Sequence, residues 1–95
     1  ITILDRLKYY NCKVSVSDEL ADAELARDQF GIDLIPLNEV LDCDAVIIAV
    51  KHDKYTRFND LHWQVMLRPN GVLIDIKSIY DKNTFSDKKI IHWRL

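Results

Sequence analysis

Lys51, His52, Asp53 and Lys54 form an abrupt polar, basic turn in this 95-residue chain. They directly follow an apolar run, Asp44-Ala-Val-Ile-Ile-Ala-Val50. In open α/β sheets the ligand sits just beyond the carboxyl ends of the strands. Lys51 and His52 are therefore candidate ligand contacts, although for His52 a solvated loop residue is the preferred reading. A second pair, Asp75 and Lys77, interrupts the apolar segment Val72 to Ile76. A charge at the end of a buried strand is costly unless it is paired or faces a cleft. Either these residues pair locally with Lys51 or Asp53 across adjacent strand ends, or Lys77 offers a cation to a phosphate or a sugar hydroxyl. Asp18 closes a short alternating segment. An acid there could hold a cofactor ribose, or it could simply cap the following helix, the preferred reading.

The other reactive side chains carry less. His62 and His92 each neighbour a tryptophan and show no metal-ligand spacing. Cys12 and Cys43 belong to no CxxC and flank expected strands. They are expected to be structural free thiols, as in a cytoplasmic protein. No GxGxxG, Walker A, HExxH or GxSxG is present, and two glycines cannot build a phosphate-cradling loop. No catalytic residue and no metal ligand is assigned. The net charge of -2 argues against a nucleic-acid footprint. No apolar run reaches membrane-spanning length, and Asp5, Arg6 and Lys8 interrupt any signal-peptide core. Nucleic acid and membrane are thus not expected as partners.

These residues need elements to hold them. Ile3, Leu4 and Leu7 predict a helix over residues 1–10. Lys13 to Asp18 alternates and predicts a strand. The spacing of Leu20, Ala23 and Phe30 predicts a helix from Glu19, capped by Asp18 and stopped by Gly31. Ile32 to Ile35 predicts a short strand, and Pro36 opens a short helix through Leu41. The run from Cys43 to Val50 lacks alternation and reads as a central parallel strand buried on both faces. A long helix follows, Tyr55 to Leu67, with Tyr55, Phe58, Leu61, Val65 and Met66 as its buried face. Arg68 to Gly71 reads as a turn, Gly71 to Lys77 as a second apolar strand, Tyr80 to Lys88 as a loop and Lys89 to Arg94 as a last strand. The expected fold is α/β, a Rossmann-like three-layer sandwich with a mostly parallel sheet. One domain spans residues 1–95. Its opening helix has no strand before it, so the first strand is expected to be missing and the chain to be a fragment.

The ordered segments resemble a known family. Tyr10-Asn-Cys-Lys-Val-Ser-Val-Ser-Asp18, Cys43-Asp-Ala-Val-Ile-Ile-Ala-Val-Lys-His52, Pro69-Asn-Gly-Val-Leu-Ile-Asp-Ile-Lys77 and Trp93-Arg-Leu95 follow the pattern of one domain. It is the carboxy-terminal, UDP-binding domain of the UDP-glucose/GDP-mannose dehydrogenase family. Tyr55 stands where that pattern has an aromatic after the histidine, and Glu19 replaces the usual proline after Asp18. The branch acting on UDP-N-acetylhexosamines in bacterial surface-polysaccharide synthesis is the most similar. The family's opening segment, F-K-x-N-x-x-D-x-R in type, is absent.

The resemblance implies part of an NAD-dependent nucleotide-sugar 6-dehydrogenase. Such enzymes oxidise C6 of a UDP-hexose or UDP-N-acetylhexosamine to a uronate through a cysteine thioester. The resemblance also implies that the nucleophilic cysteine and the NAD site lie in domains absent from this chain. The fragment would then be inert alone, and neither Cys12 nor Cys43 would be the nucleophile. Lys77 maps to a cation near the bound UDP-sugar, and His52 is a motif residue of unassigned role. The implied partners are a UDP-sugar, the remainder of the dehydrogenase chain and a second copy in a homodimer. Two alternatives stay open. One is an NAD-binding Rossmann half, with Asp18 on the ribose. The other is a non-catalytic dimerisation domain, which apolar side chains exposed on the long helix, with no cleft at the Lys51 and Lys77 turns, would favour.

Overall fold

In the computed structural model the described residues are 2–50, 53–85 and 90–94. The chain divides into two compact units, Ile1–Val40 and Leu41–Leu95.

The first unit opens with α1, Thr2–Tyr9, as its apolar stripe requires. The strands expected at residues 13–18 and 32–35 reduce to one parallel bridge, Val16 with Leu34. The Ile35 N–H donates to the Val16 carbonyl at 2.9 Å. Two short strands without a third make a marginal ladder. The second helix, α2, is Ala23–Phe30 and starts four residues later than expected. Asp18 is not its cap: the Asp18 carboxylate accepts from the Leu20 amide at 3.0 Å and closes a turn of its own. Asp22 caps instead, its extended backbone letting the side chain accept from Leu25 N–H at 3.1 Å. Such local bonds compete with helix. Gly31 ends α2 in the left-handed region, at φ 63°. Asp22→Ala should cost about 1 kcal/mol of helix stability, read as faster amide hydrogen exchange across α2. A 3-10 turn, Leu37–Glu39, follows Pro36.

The second unit carries the sheet. Its strands are β1 (Cys43–Ile48), β2 (Leu67–Asp75) and β3 (Ile91–Arg94), in the order β1-β2-β3. Both pairings are parallel. Helices α3 (Asp53–Thr56) and α4 (Asp60–Met66) connect β1 to β2. This is an α/β, Rossmann-like arrangement.

The details differ from expectation in three places. The sheet's centre is β2, and β1 lies at its edge, with only Ile48 of that strand fully buried. The single long helix is two, because Asn59 breaks it. Asn59 takes an extended conformation and caps α4, accepting from the His62 amide at 3.2 Å while its own N–H donates to His62 Nδ1 at 3.1 Å. The expected turn at Arg68 to Gly71 survives as an irregularity inside β2. Cys43 pairs with Leu67 and Ala45 with Val72, so a two-residue step on β1 faces a five-residue step on β2. Asn70 adopts φ 62°, a conformation that asparagine tolerates. A Cβ on Gly71 would come within 2.9 Å of the Arg68 carbonyl oxygen, so only glycine fits that crossing.

Among the described residues the buried core lies wholly in this unit. It comprises Ile48, Trp63, Met66, Leu67, Leu73, Tyr80, Phe85 and Ile90. Leu61 and Val65, expected to face it, are instead 62% and 63% exposed. Among the described residues no helix is long and apolar enough to cross a membrane.

Candidate functional site

Parallel pairing brings two strand ends together. Ile48 is in register with Asp75, and the Ile76 N–H donates to the Ile48 carbonyl at 3.2 Å. The segments that leave β1 and β2 therefore start from the same edge of the sheet, where an α/β fold binds ligands. Of the three expected contacts, Lys51 and His52 lie outside the described residues. Lys77 is described: it is exposed, in the turn two residues beyond β2.

The turn carrying Lys77 is built on Asp75, whose side chain is 0% exposed. Its Oδ1 accepts from the Ile79 amide and its Oδ2 from the Tyr80 amide, both at 3.0 Å. Its backbone carbonyl accepts from Ser78 N–H at 3.3 Å, with Ser78 at φ 52°. His92 Nε2 lies 3.2 Å from Oδ2, with the imidazole almost wholly buried. Among the described residues Asp75 thus has its own turn and β3 as partners, while the local pairing with Lys51, one of the two readings open for this charge, lies outside the described residues. A buried carboxylate needs such partners on both oxygens.

His92 was not singled out from its spacing, and its place shows only in the strand register. It alternates with the more exposed Ile91 and Trp93, and it pairs with Leu73, which puts it diagonal to Asp75 on one face.

Tyr80 ties this turn to the helices after β1. Trp63 Nε1–H donates to its hydroxyl at 2.9 Å, and the hydroxyl donates to the Tyr55 backbone carbonyl. Arg94 donates to the Tyr80 carbonyl at 3.2 Å. Burial pushes the Tyr80 phenol above its ordinary pKa. The Trp63 bond opposes that rise and the Asp75 carboxylate adds to it. Rings continue the contact: Trp63 to Tyr80 at 6.1 Å, Tyr80 to Phe85 at 5.2 Å and Phe85 to His92 at 5.1 Å.

The remaining candidates do not join this edge. Cys12 and Cys43 are free thiols. Burial, then Asp44 and Asp42, push the Cys43 thiol up, which keeps it protonated and a poor nucleophile. Neither glycine fits a dinucleotide loop: Gly31 ends α2 and Gly71 lies inside β2. Among the described residues no group of three or more His, Cys, Asp or Glu side chains could hold a metal.

Residues 1–82 match the profile described as the UDP-glucose/GDP-mannose dehydrogenase family, UDP binding domain. The chain belongs to this family. Protein CapL of Staphylococcus aureus is 34% identical over 95 residues, which is 100% of this chain and 22% of that protein. UDP-N-acetyl-D-glucosamine 6-dehydrogenase of Salmonella typhi is 33% identical over 81 residues, 83% of this chain and 19% of that protein. The chain thus spans about a fifth of the length of the curated relatives it matches. No solved structure matches significantly.

Proposed function

We propose that this chain is the nucleotide-sugar-binding part of a longer, cytoplasmic, NAD-dependent UDP-sugar 6-dehydrogenase. The observation that carries this reading is the family match over residues 1–82, which takes in the Lys77 turn at the ligand edge of the sheet. Lys77 supplies a point charge to the diphosphate, without the bidentate geometry of arginine. Lys51 and His52 follow the neighbouring strand in sequence and complete the proposed contact set. The chain's contribution to catalysis is orientation. Binding energy gathered at the nucleotide holds the sugar C6 against groups supplied elsewhere. Closure of this part over the sugar excludes water from the reacting centre. NAD held by another part of the protein would supply the hydride acceptor. The described residues of this chain offer no glycine loop for it.

Titration of the full-length parent protein with UDP and with NAD tests this assignment. Lys77→Ala should weaken UDP binding by about 1–3 kcal/mol, the worth of a charge-assisted hydrogen bond, and leave NAD binding unchanged. Loss of NAD affinity alone would turn the assignment toward a dinucleotide site. No change in either would make Lys77 a structural residue.

Dimerisation is the second reading, favoured by the exposure of Leu61 and Val65, four residues apart on α4. Sedimentation of a Leu61→Glu, Val65→Glu parent protein discriminates. Dissociation of a dimer with UDP binding intact would add an interface to the site, whereas an unchanged assembly would dismiss it.

A further inference from the structure

Among the described residues Asp75 is the only buried charged side chain, and it lies two residues before Lys77. Burying a carboxylate is costly, and that cost is offset here by the hydrogen bonds it makes. What the carboxylate does is close a loop. The amides of Ile79 and Tyr80 are bound by its two oxygens, that of Ser78 by its backbone carbonyl and that of Ile76 by Ile48 on β1. The backbone is therefore pinned on both sides of Lys77. His92 reaches Oδ2 from the neighbouring strand β3, on the same face of the sheet, and braces the carboxylate.

We infer that Asp75, braced by His92, is a positioning residue that fixes the Lys77 turn for a nucleoside diphosphate. The inference rests on the proposed role of Lys77 as a phosphate contact. A lysine side chain is long and loses much rotamer freedom when it binds, so a fixed backbone lowers the ordering cost of the contact. Asp75 touches no ligand and acts only through the turn.

The test is a double-mutant cycle in the full-length parent protein, read by UDP titration with NAD titration as control. Asp75→Asn keeps the size of the side chain but replaces one acceptor oxygen with a donor that no amide can use. It should weaken UDP binding about ten-fold, the worth of roughly one hydrogen bond, with NAD binding unchanged. Placed on a Lys77→Ala background, the same substitution should cost almost nothing further, because the two residues act as a unit. A merely structural Asp75 would give the same loss on both backgrounds, and that outcome would overturn the inference while leaving Lys77 as a contact. Unchanged UDP binding in Lys77→Ala alone would remove the underlying role and the inference with it. Should Asp75→Asn not fold, His92 provides the second arm. His92→Gln retains an N–H donor and should keep UDP affinity near wild type, while His92→Leu should lose it. Equal affinity in these two variants would overturn the positioning role.

Discussion

Trp63→Ala should destabilise the protein by about 3–5 kcal/mol, the usual range for deleting a large buried aromatic. The indole is 2% exposed and sits on α4 against the sheet. It packs against Tyr55 with ring centroids 6.3 Å apart, Phe58 at 5.2 Å and Tyr80 at 6.1 Å. Truncation opens a cavity among these rings. The hydrogen bond to Tyr80 is the smaller part. Trp63→Phe keeps most of the packing, loses that bond, and should cost about 1–2 kcal/mol. Urea denaturation of both variants separates the two effects; similar losses would mean that the hydrogen bond, not the packing, dominates. The same network sets an alkaline limit. The Tyr80 phenol is held protonated by burial beyond its ordinary pKa. The folded chain therefore keeps a proton that the unfolded chain gives up near pH 10 or so. This contribution is complete below that pH and is lost as pH rises through the raised folded value.

How far the sequence spoke depended on the range of the interaction. β1 and β2 were legible because continuous β-branched runs have few other fates. The position of Lys77 at a strand end followed from the same pattern. The rank of the strands did not, since an apolar run reports a wish for burial and not its place in the order: β2, not β1, is central. Breaks were harder still. Asn59 lies inside a good helical period, and only its reciprocal bonds with His62 show why the helix restarts there. Asp18 and Asp22 are equivalent by composition, and the choice of cap fell to the one whose turn was not already closed. The support beneath the candidate site was the least legible part. Asp75 and His92 are 17 residues apart, and their meeting depends on the β2–β3 register, which no local pattern encodes.

That pair leads to the other large expected effect. Asp75→Ala should destabilise the protein by about 3–5 kcal/mol, as breaking one side of a buried ionisable pair does. The apolar surface exchanged is small, so the loss must come from polar groups left behind. The buried Tyr80 amide and the half-buried Ile79 amide would lose their acceptor, and the imidazole of His92 would lose its partner. Each orphaned group costs about 1–3 kcal/mol. Asp75→Leu fills the volume but leaves the same three groups unpaired, so it should recover only the cavity part. A second substitution identifies the dominant debt. His92→Leu added to Asp75→Leu removes the orphaned imidazole and should restore part of the stability, a non-additive gain that thermal unfolding would reveal. If the double variant were simply the sum of the singles, His92 would not be coupled to Asp75. The two amides would then carry the whole penalty, so the turn would depend on its own aspartate and owe nothing to β3.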